Sequence, residues 1–600
     1  MDIKQGRMAG RGPASIVGLG CVAALLAAAP ASANTACSLP AVQLLGVTGL
    51  KITVATDHPA TATLPEYCEL EGTVATNGLG AAPSSASIHA ELPANWNGKF
   101  LTTGQGGFAG SDGLPRVSVG SPVAKGYAVS TTDTGHEEGN TDGRWALNAD
   151  GSPATPQIID YYYRAVHEVA VTSKALVKAF YGAGSISRSY FSGCSNGGRQ
   201  AYNEATKFPD DFDGIIAGDP FLDIRALIAG LKFHKQNLQS ANTFLPAAKL
   251  PMIDAAVRAS CDAADGVVDG LIQNPAKCAF DPNSLVTASC TPGDNTCLTQ
   301  GQADTLKNYF TALRDDDGHV IYTGAAVSDL GGGDGMDLWS TGFFAPGQAL
   351  PPPNTQSTFD VTAPEPWGNA GFSPASIGWQ FVDHGIQYLV ERNPAFNVRS
   401  FDANSPIGVE SDSALKLFDR RTEAGDGDQP AKLLPFIAQD RKMLIYHGLS
   451  DPALPAFRTI NHYEAVADLV EGGIHELQEN VRLFLAPGMH HCSGGPGPNV
   501  FDTLTALENW VEHGQAPDSI LATHFKNNST AQGVDRTMPL CAFPEQASYH
   551  GAPGDPVAIN DAANWSCNPK NEEMLKVGPN GRLAGAGSQR DTFFDDRGDR

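Results

Sequence analysis

The chain has 600 residues, 42% of them hydrophobic, and a formal net charge of −25. That length exceeds one simple domain, and two domains with one inserted in the other is the natural arrangement. The acidic balance, with no Lys- or Arg-rich block, excludes nucleic acid and anionic membrane surfaces as partners, because phosphate contacts need clustered cations.

Residues 1–33 read as an export signal. Lys4, Arg7 and Arg11 form a basic lead, Ile16 to Ala29 is an apolar run too short to span a bilayer comfortably, and Ala31-Ser32-Ala33 offers a cleavage site. A lipoprotein anchor at Cys21 is the rival, but much of the apolar run follows that cysteine. No later stretch reads as transmembrane, so a secreted or periplasmic location is expected. Of eleven cysteines, ten remain once Cys21 leaves with the signal. An even count in an exported chain favours disulfides, and no C-x-x-C spacing points to zinc.

From Cys37 to about Ala90 the chain is β-rich, with strands predicted at Ile52–Thr56 and Ala86–Leu92. Lys99–Thr103 ends at Gly104-Gln-Gly-Gly107, and Tyr127–Thr132 ends at Asp133-Thr-Gly-His136, a histidine placed either in the cleft or in a structural hydrogen bond. Apolar spacing from Ile158 to Tyr181 predicts a helix. Tyr190-Phe-Ser-Gly-Cys-Ser-Asn-Gly-Gly-Arg199 follows, then a short buried strand, Phe212–Gly218. Strands alternating with helices predict a mostly parallel sheet covered on both faces. From Phe221 to Ala438 the rhythm changes to Gly, Pro, Asp and Trp, and this segment is expected to be a lid inserted in the α/β domain. The sheet resumes at Lys442–Tyr446, before His447-Gly-Leu-Ser-Asp451. A helix over Pro455–Val470 and a last strand, Val481–Ala486, lead to Pro487-Gly-Met-His-His491-Cys492. Val500 to His513 is read as a helix. The expected organisation is a first part of the α/β domain over 34–220, a lid over 221–438, a second part of that domain over 439–570, and a disordered tail over 571–600.

Gly193-Cys-Ser-Asn-Gly197 stands between a strand and a helix, the setting in which G-x-S-x-G forms a nucleophile elbow. Its glycines let strand and helix approach while Ser195 projects, and the N–H of Asn196 points toward a developing oxyanion. A serine hydroxyl also needs a base, and the base needs an orienting carboxylate. Asp451 and His491 follow later strands in the order expected for α/β-hydrolases. The competing readings are a turn aspartate before Pro452 and the neighbouring His490. Cys194 precedes Ser195 and Cys492 follows His491. A bond between those sulfurs would hold the two Cα atoms within roughly 7 Å, bringing Ser195 and His491 together. Two reduced core cysteines are the alternative.

Gly193-Cys-Ser-Asn-Gly-Gly198, His447-Gly-Leu-Ser-Asp451 and Pro487-Gly-Met-His-His-Cys-Ser-Gly-Gly-Pro496 resemble the tannase and feruloyl esterase family from Cys37 to Cys567. The resemblance implies an α/β-hydrolase fold with a large lid, and a Cys194–Cys492 bond across the active site. It also implies Ser195 as nucleophile, His491 as general base, Asp451 as orienting carboxylate, and Asn196 with Gly107 as oxyanion donors. Gly104 and Gly106 compete for that last place. In Cys261-Asp-Ala-Ala-Asp-Gly-Val-Val-Asp-Gly-Leu271, the carboxylates of Asp262, Asp265 and Asp269 suit Ca²⁺, though Asp-Gly pairs also simply make turns. The resemblance implies a structural calcium there, with carbonyls of Val267 and Leu271, inside a Cys261–Cys278 loop. The remaining pairs expected are Cys37–Cys68, Cys290–Cys297 and Cys541–Cys567.

The partner expected is a small aromatic ester derived from plant cell wall or polyphenol, of feruloyl or galloyl type. The lid aromatics Trp339, Phe343, Phe344, Trp367, Trp379, Phe381 and Tyr388 offer stacking surface, most of it core. Terephthalate-monoester hydrolases of this family use a lid arginine for the free carboxylate. Ser376-Ile-Gly-Trp379 holds none, and Arg392 and Arg399 lie further on. Such a monoesterase, or a catalytically silent polyphenol- or carbohydrate-binding relative, are the alternatives.

Overall fold

The computed structural model describes residues 35–113, 121–316, 318, 320–329, 377–403 and 413–568. The predicted signal, the tail, and Trp339, Phe343, Phe344 and Trp367 lie outside these residues.

Period-two alternation builds the first strands, because successive strand side chains point to opposite faces. Along β2 (Tyr67–Thr76), Cys68, Leu70 and Val74 are buried while Glu69, Glu71 and Thr73 face the other way. β1 (Leu50–His58) and β3 (Ser84–Pro93) flank it in antiparallel register. β4 (Lys99–Thr103), β5 (Ala128–Thr131) and β7 (Gly214–Gly218) are instead buried almost throughout, as strands covered on both faces must be. β6 (Arg188–Cys194) runs between β4 and β7.

Between β7 and the next strand of the sheet lies a long insertion. It carries helices Ala226–Asn237, Leu250–Cys261, Gln300–Phe310, Ile377–His384 and Ala414–Thr422, and a hairpin of β8 (Leu313–Arg314) and β9 (Val320–Tyr322). None of its described residues adds a strand to the main sheet. β10 (Lys442–Gly448) then pairs directly with β7, Met443 opposite Ile215, and β11 (Val481–Ala486) closes the edge. The nine strands run in the order β1-β2-β3-β5-β4-β6-β7-β10-β11, parallel from β5 onward. With helices on the sheet and a sharp turn after β6, this is the α/β-hydrolase fold.

The two ends of the insertion are fastened to the sheet domain through one buried cation. Arg458, on the helix Ala456–Ala467, donates to Asp223 at 2.7 Å and to Asp428 at 2.8 Å. Paired in this way the charges are tolerated inside the protein, where a lone one would be costly.

One sequence expectation needs correction. Val500–Phe501 is a strand, β12, and the helix starts only at Thr503, because the Asp502 side chain accepts from the N–H of Thr505 and caps it. β12 joins β13 (Ser519–Phe525) and β14 (Val534–Cys541) in a small antiparallel sheet that the sequence did not disclose.

Candidate active site

β6 runs without a loop into the helix Asn196–Lys207, and Ser195 is the hinge, at φ 65° and ψ −123°. For a residue with a Cβ this conformation is strained, and it survives only where the surroundings enforce it. Here Ser195 N donates to Gly218 O at 3.0 Å, while its own carbonyl accepts from the N–H groups of Arg199 and Phe221. The approach is too tight for side chains: a Cβ on Gly193 would sit 2.4 Å from Gly197 O, and one on Gly198 would sit 2.5 Å from Gly218 O.

Asp451 follows β10 and its carboxylate is fully buried. Oδ1 accepts from the N–H groups of Ala453 and Leu454, at 2.8 and 3.0 Å, and Oδ2 accepts from His491 Nδ1 at 2.7 Å. A proton held at Nδ1 leaves Nε2 as the basic nitrogen, as a general base requires. Burial alone would lower the His491 pKa; the charge and hydrogen bond of Asp451, with the charge of Asp219, outweigh it and leave the pKa raised. Burial works the other way on Asp451, but His491 and His447 hold it well below the usual carboxylate range. His490 is fully buried and does not reach the cavity that His491 lines.

Asp219 and His447 complete this charge cluster. Asp219 caps the carboxyl end of β7 at φ 36° and accepts from Gly448 N at 2.8 Å. Its pKa is pushed up to about 6 by burial, with His447 opposing and Asp451 adding to the rise. His447 Nε2 lies 3.4 Å from Asp451 Oδ2 and 3.8 Å from Asp219 Oδ1. Sequence reasoning missed Asp219; the only signal was a polar residue between Gly218 and Pro220 at a strand end.

All five expected disulfides are present. Cys194 and Cys492 stand 6.0 Å apart at Cα and close a sequence separation of 298. Cys194 Sγ, which carries no proton once bonded, sits 3.4 Å from Asp219 Oδ2. Replacing both cysteines by serine is expected to cost about 2–5 kcal/mol, below the loop-closure limit for so long a loop. Denaturant unfolding measures it, and unchanged stability would show that the clamp contributes nothing.

Ser195 and His491 open on a cavity of about 660 Å³, counted out to its mouth, with Gly107 and Asn196 in the same wall. Gly107 adopts φ 59°, and a Cβ there would lie 2.4 Å from Asn140 O. Asn196 is held by its side chain, which donates to Gln105 O and accepts from Arg199 Nε. The remaining described lining is mainly apolar, including Phe108, Phe221, Leu227, Phe381 and Leu454, and includes no lysine or arginine. Of the described lid aromatics, Phe381 lines this cavity, whereas Trp379 is core. His136 bonds Phe108 O at 2.8 Å and stacks on Trp145, so its role is structural.

The acidic loop folds back on itself. Asp262 Oδ1 accepts from Asp269 N at 3.1 Å, Asp265 accepts from Val267 N and Gln273 N, and Arg536 donates to Asp269 Oδ2 at 3.2 Å. Asp265 is pushed up to about 7 by burial, with the charges of Asp269 and Asp262 adding to the rise. The three carboxylates, with Arg536 on Asp269 and Arg258 on Gly270 O, offer the all-oxygen donor chemistry that calcium takes.

Fold and site together define a carboxylic ester hydrolase of the α/β-hydrolase class. Residues 80–567 match the family model "Tannase and feruloyl esterase". The chain belongs to that family. It is 32% identical over 85% of its length to mono(2-hydroxyethyl) terephthalate hydrolase of Piscinibacter sakaiensis, covering 86% of that protein. It is 29% identical over 78% of its length to probable feruloyl esterase B-2 of Aspergillus flavus, covering 82% of it. Among solved structures, feruloyl esterase B from Aspergillus oryzae superposes with a TM-score of 0.69 at 24% identity, covering 87% of this chain and 97% of that one.

Proposed function

We propose that the chain hydrolyses neutral aromatic esters of feruloyl or galloyl type through an acyl-enzyme on Ser195. The observation that carries this reading is the buried Asp451–His491 pair, tethered by Cys492 to the residue before Ser195 at the mouth of an apolar cavity. Ser195 Oγ attacks the ester carbonyl and passes its proton to His491 Nε2. The N–H groups of Asn196 and Gly107 hold the oxyanion. His491 then protonates the leaving alcohol, and a water activated by the same nitrogen releases the acid and restores Ser195.

The cavity favours an uncharged acyl ring, since no cation lines it among the described residues. The resemblance to the terephthalate-monoester hydrolase supports a second reading, in which the acyl group carries a free carboxylate. Methyl ferulate, methyl gallate and mono(2-hydroxyethyl) terephthalate assayed side by side decide between them, and no turnover of any of the three rejects both. The intact Ser195, Asp451 and His491 weigh against a silent binding relative.

Five disulfides suit an oxidising compartment, and no described helix is long and apolar enough to cross a membrane. The disulfides support export under the predicted N-terminal signal. In the acidic loop, calcium would be held by Asp262, Asp265 and Asp269 with the carbonyls of Val267 and Leu271, and would supply charge compensation for folding. Saturating calcium at a hundred times its Kd is expected to add about 3 kcal/mol of stability. A melting temperature indifferent to chelation and calcium addition rejects that site.

A further inference from the structure

Far along the chain from Ser195 and His491, the outward faces of β1, β2 and β3 gather two imidazoles and two carboxylates. Register places Glu69 directly opposite Glu91 on the neighbouring strand, and Glu71 opposite His89. Like charges facing each other across a ladder are destabilising, so a glutamate pair needs something positive between or beside it. His58, at the end of β1, puts Nε2 2.6 Å from Glu69 Oε2, and His89 puts Nε2 2.9 Å from Glu69 Oε1. Ligand atoms of Glu69, His89 and Glu91 all lie within 4.8 Å of one another.

The protonation of His89 sharpens the picture. Its Nδ1 lies 3.1 Å from Asp112 O, and a carbonyl can only accept, so Nδ1 carries the proton. Nε2 is then the nitrogen left to take up a ligand or a second proton. That nitrogen is buried and makes no hydrogen bond although Glu69 Oε1 is 2.9 Å away. Beside a carboxylate oxygen that nitrogen calls for a positive charge, which either a second proton or a metal ion supplies. An imidazole whose second nitrogen is fixed by a backbone carbonyl is the arrangement that orients metal-ligating histidines.

We propose that His58, Glu69, His89 and Glu91 form a binding site for a divalent transition-metal ion, with zinc as the metal that fits best. Two neutral imidazoles and two carboxylates give a four-ligand N₂O₂ set whose charge of −2 balances the ion. Nitrogen and oxygen ligands sit about 2.0–2.2 Å from zinc, and in a tetrahedron they are therefore about 3.3 Å apart. Glu69, His89 and Glu91 already gather within 4.8 Å of one another, and His58, 2.6 Å from Glu69, has to draw back to complete the set. Histidine in the set distinguishes this site from the acidic loop, whose all-oxygen donors suit calcium. The bound ion would also fix His89, and through Asp112 O the segment that runs back to Gly107.

The test uses the untagged, chelator-treated full chain in excess calcium, so that the acidic loop is not in competition. Calorimetric titration with zinc is expected to show one equivalent bound, lost in Glu69→Gln and in His89→Gln. Cobalt substitution is expected to give the intense visible bands of a four-coordinate site, absent from both variants. Retained melting behaviour without metal, and retained ester hydrolysis, show that the variants are folded; His58→Gln, at the strand end, serves as a third variant with weakened zinc uptake. No zinc uptake by the wild-type chain overturns the proposal, as does uptake undiminished in Glu69→Gln and His89→Gln.

Discussion

Ser195→Ala is expected to lower kcat for an aryl ester by about a millionfold, the scale at which loss of the nucleophile removes the whole relay. The nitrophenol burst that reports acyl-enzyme formation should vanish with it. Because serine and imidazole act as one unit, His491→Ala should cost about as much, and the double variant little more than either. Additive losses would mean that the two residues do not share one proton transfer. The fold should be indifferent to Ser195→Ala, since the alanine Cβ replaces the serine Cβ at the same strained φ of 65°.

Asp451→Asn is expected to reduce kcat by about 10⁴-fold. The asparagine preserves the shape but can offer an N–H to His491 Nδ1, which favours the tautomer with the proton on the wrong nitrogen. The pH profile supplies an independent reading. A general base must be neutral, so activity falls as pH drops through the His491 pKa. Asp451 raises that pKa against the effect of burial, and the acid limb of the wild-type kcat/KM profile should lie on the alkaline side of an ordinary histidine. Asp451→Asn removes the largest favourable partner of the imidazolium, and the limb should move to lower pH. Asp219 remains and should keep part of the elevation. A limb that does not move would remove Asp451 from its assigned role.

What the sequence disclosed follows from how local each signal is. Period-two and fully apolar runs revealed most strands of the main sheet, and the glycines around Ser195 form a recognisable local pattern, although only Gly193 meets a contact within a few residues of chain while Gly197 and Gly198 are pressed by Gly104 and Gly218. Asp451 and His491 could be ordered along the chain because strand ends are recognisable. Asp219 could not, since an aspartate before a proline looks like any turn until β7 and β10 pair and bring it beside His447. The cluster on β1, β2 and β3 was hidden for the same reason: His58, Glu69, His89 and Glu91 occupy ordinary outward positions, and only cross-strand register makes them neighbours. Helix boundaries failed where a cap overrode periodicity, as Asp502 does in front of Thr503.

The bond between Cys194 and Cys492 encloses the entire insertion within a covalent ring. A protease that nicks the chain anywhere inside that ring leaves both fragments on one molecule, with the serine and the imidazole still tied to each other. Cut enzyme should therefore migrate intact on a non-reducing gel and separate only after thiol treatment.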